Sequence, residues 1–281
     1  MRIIESVEDA INRVEKWKKG GSTIGLVPTM GFLHQGHASL IERSICENDK
    51  TVVSIFVNPT QFAPTEDYDK YPRDMEADAE ICAKKGVDLI FAPPVIQMYP
   101  QGFSTFVDMD GLTRGLCGRS RPTHFRGVCT VVNKLFNIIR PDSAYFGQKD
   151  AQQLAVIKRM VKDLNMGVHV VGCPIVREPD GLAKSSRNAY LDPEQRSAAL
   201  VLSKAVFVGQ EMIKSGERDV AKVVEAMRQI ILQEPLAKID YVEIVDSETI
   251  GPVSQIEGSI LAAVAVVIGT TRLIDNFIYE G

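Results

Sequence analysis

Two of the four histidines in this 281-residue chain stand three residues apart, in Pro28-Thr29-Met30-Gly31-Phe32-Leu33-His34-Gln35-Gly36-His37. Imidazoles at this spacing can donate hydrogen bonds to phosphate oxygens. The glycines let the backbone itself come close to a ligand. The run Ile24-Gly25-Leu26-Val27 before them reads as a short buried strand, and Ala38, Leu40, Ile41, Ser44 and Ile45 after them follow helical spacing. The His-x-Gly-His therefore lies where a strand gives way to a helix. There, unpaired N–H groups and the positive end of the helix dipole favour an anion. A zinc site would need three or four ligands. His124, His169 and the scattered cysteines offer no pair at that spacing.

A second polar string, Lys184-Ser185-Ser186-Arg187-Asn188, follows the turn signal Pro179-Asp180-Gly181. Taken alone it describes a solvated basic loop. Paired with an upstream phosphate cradle, its two cations and two hydroxyls are suited to neutralising a pentavalent phosphorus and a leaving pyrophosphate.

Elements that position these residues follow from periodicity. Helices are expected over 6–18, after His37, and over 73–85, 123–139 and 150–164. Strands are expected over 24–27, 51–57, 87–91, 143–146 and 168–171. Strands alternating with helices imply a parallel sheet covered on both faces, with ligands at the carboxyl ends of the strands. Motifs begin after Val27, Val57 and Phe146, three such ends. From about Cys173 the pattern changes to helices over 193–215 and 218–233 and strands over 239–245, 259–268 and 273–279. The expectation is an α/β protein: a Rossmann-like domain over 1–175 and a smaller α+β domain over 176–281 that carries the Lys-Ser-Ser-Arg loop and hinges it over bound nucleotide.

The net charge of −4 argues against a nucleic-acid partner. Five widely spaced cysteines read as reduced thiols of a cytoplasmic protein. Cys117 has no adjacent activating partner in sequence. Residues 1–5 lack a signal-peptide apolar region, and the apolar run 260–268 is too short to span a bilayer, so no membrane partner is expected.

The His-x-Gly-His and Lys-Ser-Ser-Arg pair resembles the HIGH and KMSKS elements of the nucleotidylyltransferase superfamily. Further strings occur in order: Phe56-Val57-Asn58-Pro59-Thr60-Gln61-Phe62, Tyr71-Pro72-Arg73, Arg121-Pro122-Thr123-His124-Phe125-Arg126-Gly127-Val128 and Tyr145-Phe146-Gly147-Gln148-Lys149-Asp150-Ala151-Gln152-Gln153. Together they resemble the pantoate–β-alanine ligases from about Ile24 to Asn276.

That resemblance implies ATP-dependent condensation of pantoate with β-alanine through a pantoyl-adenylate, releasing pyrophosphate and then AMP, with ATP and Mg2+ required. It implies His34, His37, Lys149 and Arg187 as catalytic residues, with His37 the first choice for proton donor. ATP contacts are implied at Met30, Gly31, Phe32, Leu33, Gln35, Gly36, Gly147, Gln148, Asp150, Val176, Lys184, Ser185 and Ser186. Gln61, Gln153, Asn58 and Arg121 are the implied substrate contacts, Met30 packing on the pantoate methyls. No metal ligand is assigned; magnesium rides on the phosphates, with Asp78 a minor candidate near it. A cytoplasmic homodimer through the N-terminal domain is implied. Three positions depart from the family pattern: Lys184 replaces a common methionine, Thr123 a glycine, and Ala77 an acidic residue. A nucleotidyltransferase with a phosphate-bearing acceptor, a silent nucleotide-binding scaffold and a tRNA-charging enzyme are the rival readings. The Asn58–Phe62 and Gly147–Gln153 acceptor motifs, the intact cationic groups and the lack of a basic extension argue against them in turn.

Overall fold

The computed structural model describes residues 1–64 and 66–281. The chain divides into two units. The first comprises Met1–Met109, Arg121–Gln148 and Val156–Pro174; the second comprises Asp110–Ser120, Lys149–Ala155 and Ile175–Gly281. The main break thus falls between Pro174 and Ile175, and two earlier segments group with the second unit.

In chain order the first unit holds β1 (Arg2–Ile4), α1 (Val7–Lys19), β2 (Ile24–Thr29), α2 (Gln35–Glu47), β3 (Lys50–Ile55), α3 (Met75–Lys85), β4 (Leu89–Phe91) and α4 (Val95–Met98). After α5 (Cys117–Ser120), a single turn in the second unit, come α6 (His124–Ile139), β5 (Ser143–Gly147), α7 (Ala151–Asp163) and β6 (His169–Cys173). Six strands form one sheet in the order β1-β4-β3-β2-β5-β6, and every pairing is parallel. From β2 the chain winds outward through β3 and β4, then returns to β2's other side for β5 and β6. The direction of winding reverses at β2, which places the crevice of a Rossmann-like sheet at the carboxyl ends of β2 and β5.

Alternation of side chains explains how both faces are filled. Val27, Val53, Ile55, Ile90, Tyr145, Val171 and Cys173 share a cluster with Leu40 and Ile41 of α2 and Cys82 of α3. Ile24, Leu26, Val52, Leu89 and Ala144 point the other way and are buried in turn. Strands covered on both sides read as unbroken apolar runs, which is why β2 and β3 were visible in the sequence. Ser6 caps α1 by accepting the Asp9 N–H, and Asp74 caps α3 by accepting the Ala77 N–H.

The second unit contains α8 (Pro193–Ala198), α9 (Leu200–Lys214) and α10 (Val220–Leu232). These are followed by the antiparallel sheet β7 (Ala237–Asp246), β8 (Ile260–Ile268) and β9 (Thr271–Tyr279) in the order β7-β8-β9. Central β8 is buried almost throughout, as the apolar run predicts. Leu273 and Phe277 of β9 join Val223, Met227 and Ile231 of α10 in the core.

Several details differ from the sequence reading, among them the following. The helix expected over 193–215 is broken at Ala199, where the Leu202 N–H bonds the Ala199 carbonyl in a tighter turn. Strand β1 was not foreseen, because three residues are too few to show a period. The helix expected after His37 begins earlier, at Gln35.

Candidate active site

The loop after β2 is built by two buried acceptors. Thr29 Oγ1 donates to the Ser54 carbonyl and accepts the Gly31 N–H at 3.2 Å. Asp78 of α3 is 2% exposed; its two carboxylate oxygens accept the N–H groups of Phe32 at 2.9 Å and Leu33 at 2.7 Å. Burial pushes this carboxyl above the usual aspartate range, Asp74's charge adds to the rise, and the two N–H groups oppose it. Gly31 has φ +84°, and a Cβ there would meet Asp78 Oδ2 at 2.9 Å and Ile55 Cγ2 at 3.0 Å. Glycine is required at this position both by conformation and by space. Phe32 follows in the left-handed region at φ 51°. Asp78 builds the loop: both of its oxygens hold backbone.

The loop delivers His34 to the N-cap of α2. His34 Nδ1 accepts the Gly36 N–H at 3.1 Å, while His37 Nδ1 accepts the His34 N–H at 3.2 Å. This is a reciprocal capping box made by two imidazoles. Since each Nδ1 acts as an acceptor, each neutral ring carries its proton on Nε2. The rings lie 4.1 Å apart between centroids. No acidic residue occupies the first turn of α2, so the positive helix end is not compensated within its own helix.

Beside this loop, the sequence around Asn58 forms a 3-10 turn, Pro59–Gln61. Gln61 is buried; its Nε2 lies 3.2 Å from Met30 Sδ and its Oε1 accepts from Asn58 Nδ2 at 3.0 Å. The Gln61 carbonyl lies 3.0 Å from His124 Nδ1 and also accepts from Arg121. Met30 and Gln61, two sequence candidates, are thus brought together.

Asn58 and Arg121, expected as substrate contacts, both brace the Gln61 turn. Asn58 is 1% exposed; it donates to Gly127 O, and its Oδ1 accepts from Tyr99 Oη at 2.7 Å and from Thr60. It is a strut for the turn. Arg121 makes a two-pronged pair with Glu66. Burial alone would raise the Glu66 carboxyl, but hydrogen bonding and charge from Arg121, with the Ala63 N–H, carry it below the usual glutamate range. Gly127 lets α6 touch the turn: a Cβ there would lie 2.4 Å from Thr60 O.

Gly147 and Gln148 close the first unit's part of the β5 motif, and Lys149 opens the second unit's part. Lys149 Nζ stands 3.7 Å from Asp150 Oδ2 in a 3-10 turn ahead of α7. Gln153 is half-buried on α7. Its neighbour Gln152, not assigned a role from sequence, is buried. Gln152 accepts the Cys117 N–H at 2.9 Å and donates to the carbonyls of Leu112 and Gly115.

Residues 176–184 form a hairpin. The Lys184 N–H bonds the Val176 carbonyl at 2.9 Å, the Glu178 N–H bonds the Leu182 carbonyl at 2.8 Å, and Gly181 turns the chain at φ +97°. Val176 therefore spends its carbonyl on the hairpin. Lys184 Nζ pairs with Glu178 Oε2 at 3.0 Å across it. Ser185 Oγ accepts the Arg187 N–H and starts the 3-10 turn Ser186–Tyr190. Ser186 is buried, and Asn188 Nδ2 bonds the Ala183 carbonyl.

The family model described as pantoate-beta-alanine ligase matches residues 2–278. The chain belongs to the pantoate-beta-alanine ligase family. It is 58% identical over 277 residues to a pantothenate synthetase of Ruminiclostridium cellulolyticum, covering 99% of this chain and 98% of the relative. It is 59% identical over 280 residues to one of Enterococcus faecalis, covering 100% and 99%. Among solved structures, the pantothenate synthetase of Thermus thermophilus superposes with a TM-score of 0.94 at 46% identity, covering 99% of each chain. The ligase of Francisella tularensis, solved with beta-gamma ATP and beta-alanine, gives 0.80 at 34% identity, covering 99% of this chain and 97% of that one. The reaction of this family is the ATP-dependent joining of pantoate to β-alanine, and members are carbon–nitrogen ligases.

The structural parts played by Asp78, Gln152 and the Arg121–Glu66 pair are what the sequence reading missed. The signal for Asp78 was present: a carboxylate at the spacing of Cys82, which faces the α3 core.

Proposed function

We propose that this chain carries out both half-reactions of its family on MgATP, pantoate and β-alanine. In the first, a pantoate carboxylate oxygen attacks the α-phosphorus, the bond to the bridging oxygen breaks, and pyrophosphate leaves. In the second, the amine of β-alanine attacks the acyl carbon, the carbon–nitrogen bond forms, and AMP departs as the amine loses its proton. The observation that carries the reading is the imidazole capping box. It costs each ring its Nδ1 as an acceptor and so leaves each Nε2 a hydrogen-bond donor.

In this account His34 and His37 bind phosphate oxygens as charge builds, His37 supplying the key donor at the α-phosphate. Lys149 and Arg187 neutralise the triphosphate, and Ser185 and Ser186 hold the departing pyrophosphate. Lys184 joins them by exchanging its Glu178 partner for phosphate. Gly31, Phe32, Leu33, Gln35 and Gly36 line the nucleotide through backbone, with Gly147, Gln148 and Asp150 at the adenosine and Val176 at adenine. A Cβ at Gly147 would meet no protein atom within 4 Å among the described residues, which leaves room for a ligand to approach the backbone there. Gln61, Gln153 and Met30 receive pantoate, the amides serving hydroxyl and carboxylate without added charge. Asn58 and Arg121 contact substrate beside the Gln61 turn that they brace.

Magnesium enters as part of the substrate. Among the described residues no cluster of three or more His, Cys, Asp or Glu offers a separate ion site. In this reading the ion is carried by phosphate oxygens. No helix among the described residues is long and apolar enough to cross a membrane. We place the enzyme in the cytoplasm as a homodimer through its first unit; sedimentation of the purified protein checks the dimer. Pantothenate and AMP formed in equal amounts from MgATP, pantoate and β-alanine test the reaction.

A further inference from the structure

Two of the proposed phosphate-binding segments, Lys149 and the hairpin leading into 184–187, are tied to adjacent residues of β9. Asp275 is 1% exposed, between Leu273 and Phe277, whose side chains share its face of the strand and lie in the apolar core. Burying a carboxylate there is unfavourable unless it is paired. Its partner is Arg177, the second residue of the hairpin: Nη1 to Oδ2 at 2.6 Å and Nη2 to Oδ1 at 2.9 Å. Arg177 Nη1 also donates to the Gly181 carbonyl at 3.0 Å, gripping the hairpin's turn, and its guanidinium lies 5.0 Å from the centre of the Phe207 ring. A planar fork held by two carboxylate oxygens, a carbonyl and a ring fixes orientation as well as position.

The next residue, Asn276, points to the opposite face of β9. Its Nδ2 donates to the Lys149 carbonyl at 2.8 Å, and its own N–H is held by Asp275 Oδ1 at 2.8 Å. Core packing does not call for this pair: an apolar residue at 275 and a β-former at 276 would suit the strand better.

We infer that Asp275 and Asn276 are positioning residues for the adenylation step, which set the spacing between Lys149 and the Lys184–Arg187 cations from the two faces of one strand. Neither touches substrate. They act by fixing the backbone at Lys149 and the hairpin at Arg177. This inference rests on the phosphate roles proposed above for Lys149 and the 184–187 segment.

The test compares the two half-reactions in Asp275→Asn, Asn276→Ala and the paired apolar variant Arg177→Met/Asp275→Leu. The paired variant removes both charges together and so strands neither the half-buried guanidinium nor the buried carboxylate. Pantoate-dependent exchange of labelled pyrophosphate into ATP reports the first half. Single-turnover release of AMP from preformed pantoyl-adenylate on adding β-alanine reports the second. A misplacement of about 1 Å is worth about 100-fold in rate. The expected result is a loss of about 10- to 100-fold in exchange, with AMP release within about two-fold of wild type, in all variants that melt as wild type does. Equal losses in both halves, or wild-type exchange in the folded paired variant, would overturn the inference. A wild-type protein without pantoate-dependent exchange would instead refute the functional reading on which it rests.

Discussion

At the scale of single residues, the strongest signal was also the most informative structure. His34 and His37 were legible because glycine between two histidines at a strand–helix junction has few purely structural uses. What the sequence did not show is that the two rings cap each other, since imidazole is not among the usual capping residues. That cap has a consequence for mutation. His37→Ala removes a proposed phosphate donor and one half of the box. We expect kcat to fall by about 100- to 1,000-fold, the scale of losing one donor to developing charge. Stability should fall by only about 1 kcal/mol. Steady-state kinetics beside urea melts separate the two effects. The structural part of Asp78 was missed because a lone carboxylate in a nucleotide-binding protein suggests metal. Its buried place below the Met30–Leu33 loop shows that backbone donors, invisible in sequence, can require a carboxylate equally well. Removing it in Asp78→Ala strands two N–H groups, a penalty of about 1–3 kcal/mol for each one left unpaired. Circular dichroism melts should show a loss of about 2–6 kcal/mol for the two groups together, with activity lost alongside.

Among elements, the turn Pro59–Gln61 and helix α6 are the pair most worth testing. Periodicity found α6 and its neighbours because each buries a wide apolar face. It could not find the contact of Gly127 with Thr60, which depends on a missing side chain 67 residues away in sequence. Gly127→Ala forces α6 away from the turn that carries Gln61. We predict a stability loss of about 1–3 kcal/mol, with KM for pantoate raised more than KM for ATP. Equal changes in both constants would show that the turn does not report on pantoate.

The Arg121–Glu66 pair braces the same turn and gives a pH signature. Glu66 titrates lower in the folded protein than its ordinary 4.5. Its contribution to stability is therefore complete above that ordinary value and is lost as pH falls through the lower folded value. In Glu66→Gln, melting temperature should fall less steeply with acidification than in wild type. Parallel acid limbs would remove the pair from the account. Short elements remained illegible for a plain reason: β1, three residues long, is defined by its partner β4 rather than by any pattern of its own.

For the whole molecule, the fold class was open to sequence because alternation of buried strands and amphipathic helices leaves few arrangements, and parallel β-α-β crossings fix their hand. The unit boundaries were less open. Segments 110–120 and 149–155 group with the second unit through contacts such as Gln152 with Cys117 and Asn276 with Lys149, which no composition shift marks. Function was legible at this scale because the motifs form an ordered set spread over nearly the whole chain, and the family match spans the same range. A protein that binds MgATP should be stabilised by it, by about 2.7 kcal/mol at a hundredfold excess over Kd. Thermal melts with MgATP should rise for wild type and rise less for His34→Ala.

The most direct measurement is pyrophosphate release from MgATP with pantoate, with and without β-alanine, for wild type beside His37→Ala. The account predicts multiple turnovers only when both pantoate and β-alanine are present, with pantothenate and AMP matching the pyrophosphate, and a large loss in the variant. A protein that binds ATP but releases no pyrophosphate in response to pantoate would contradict it.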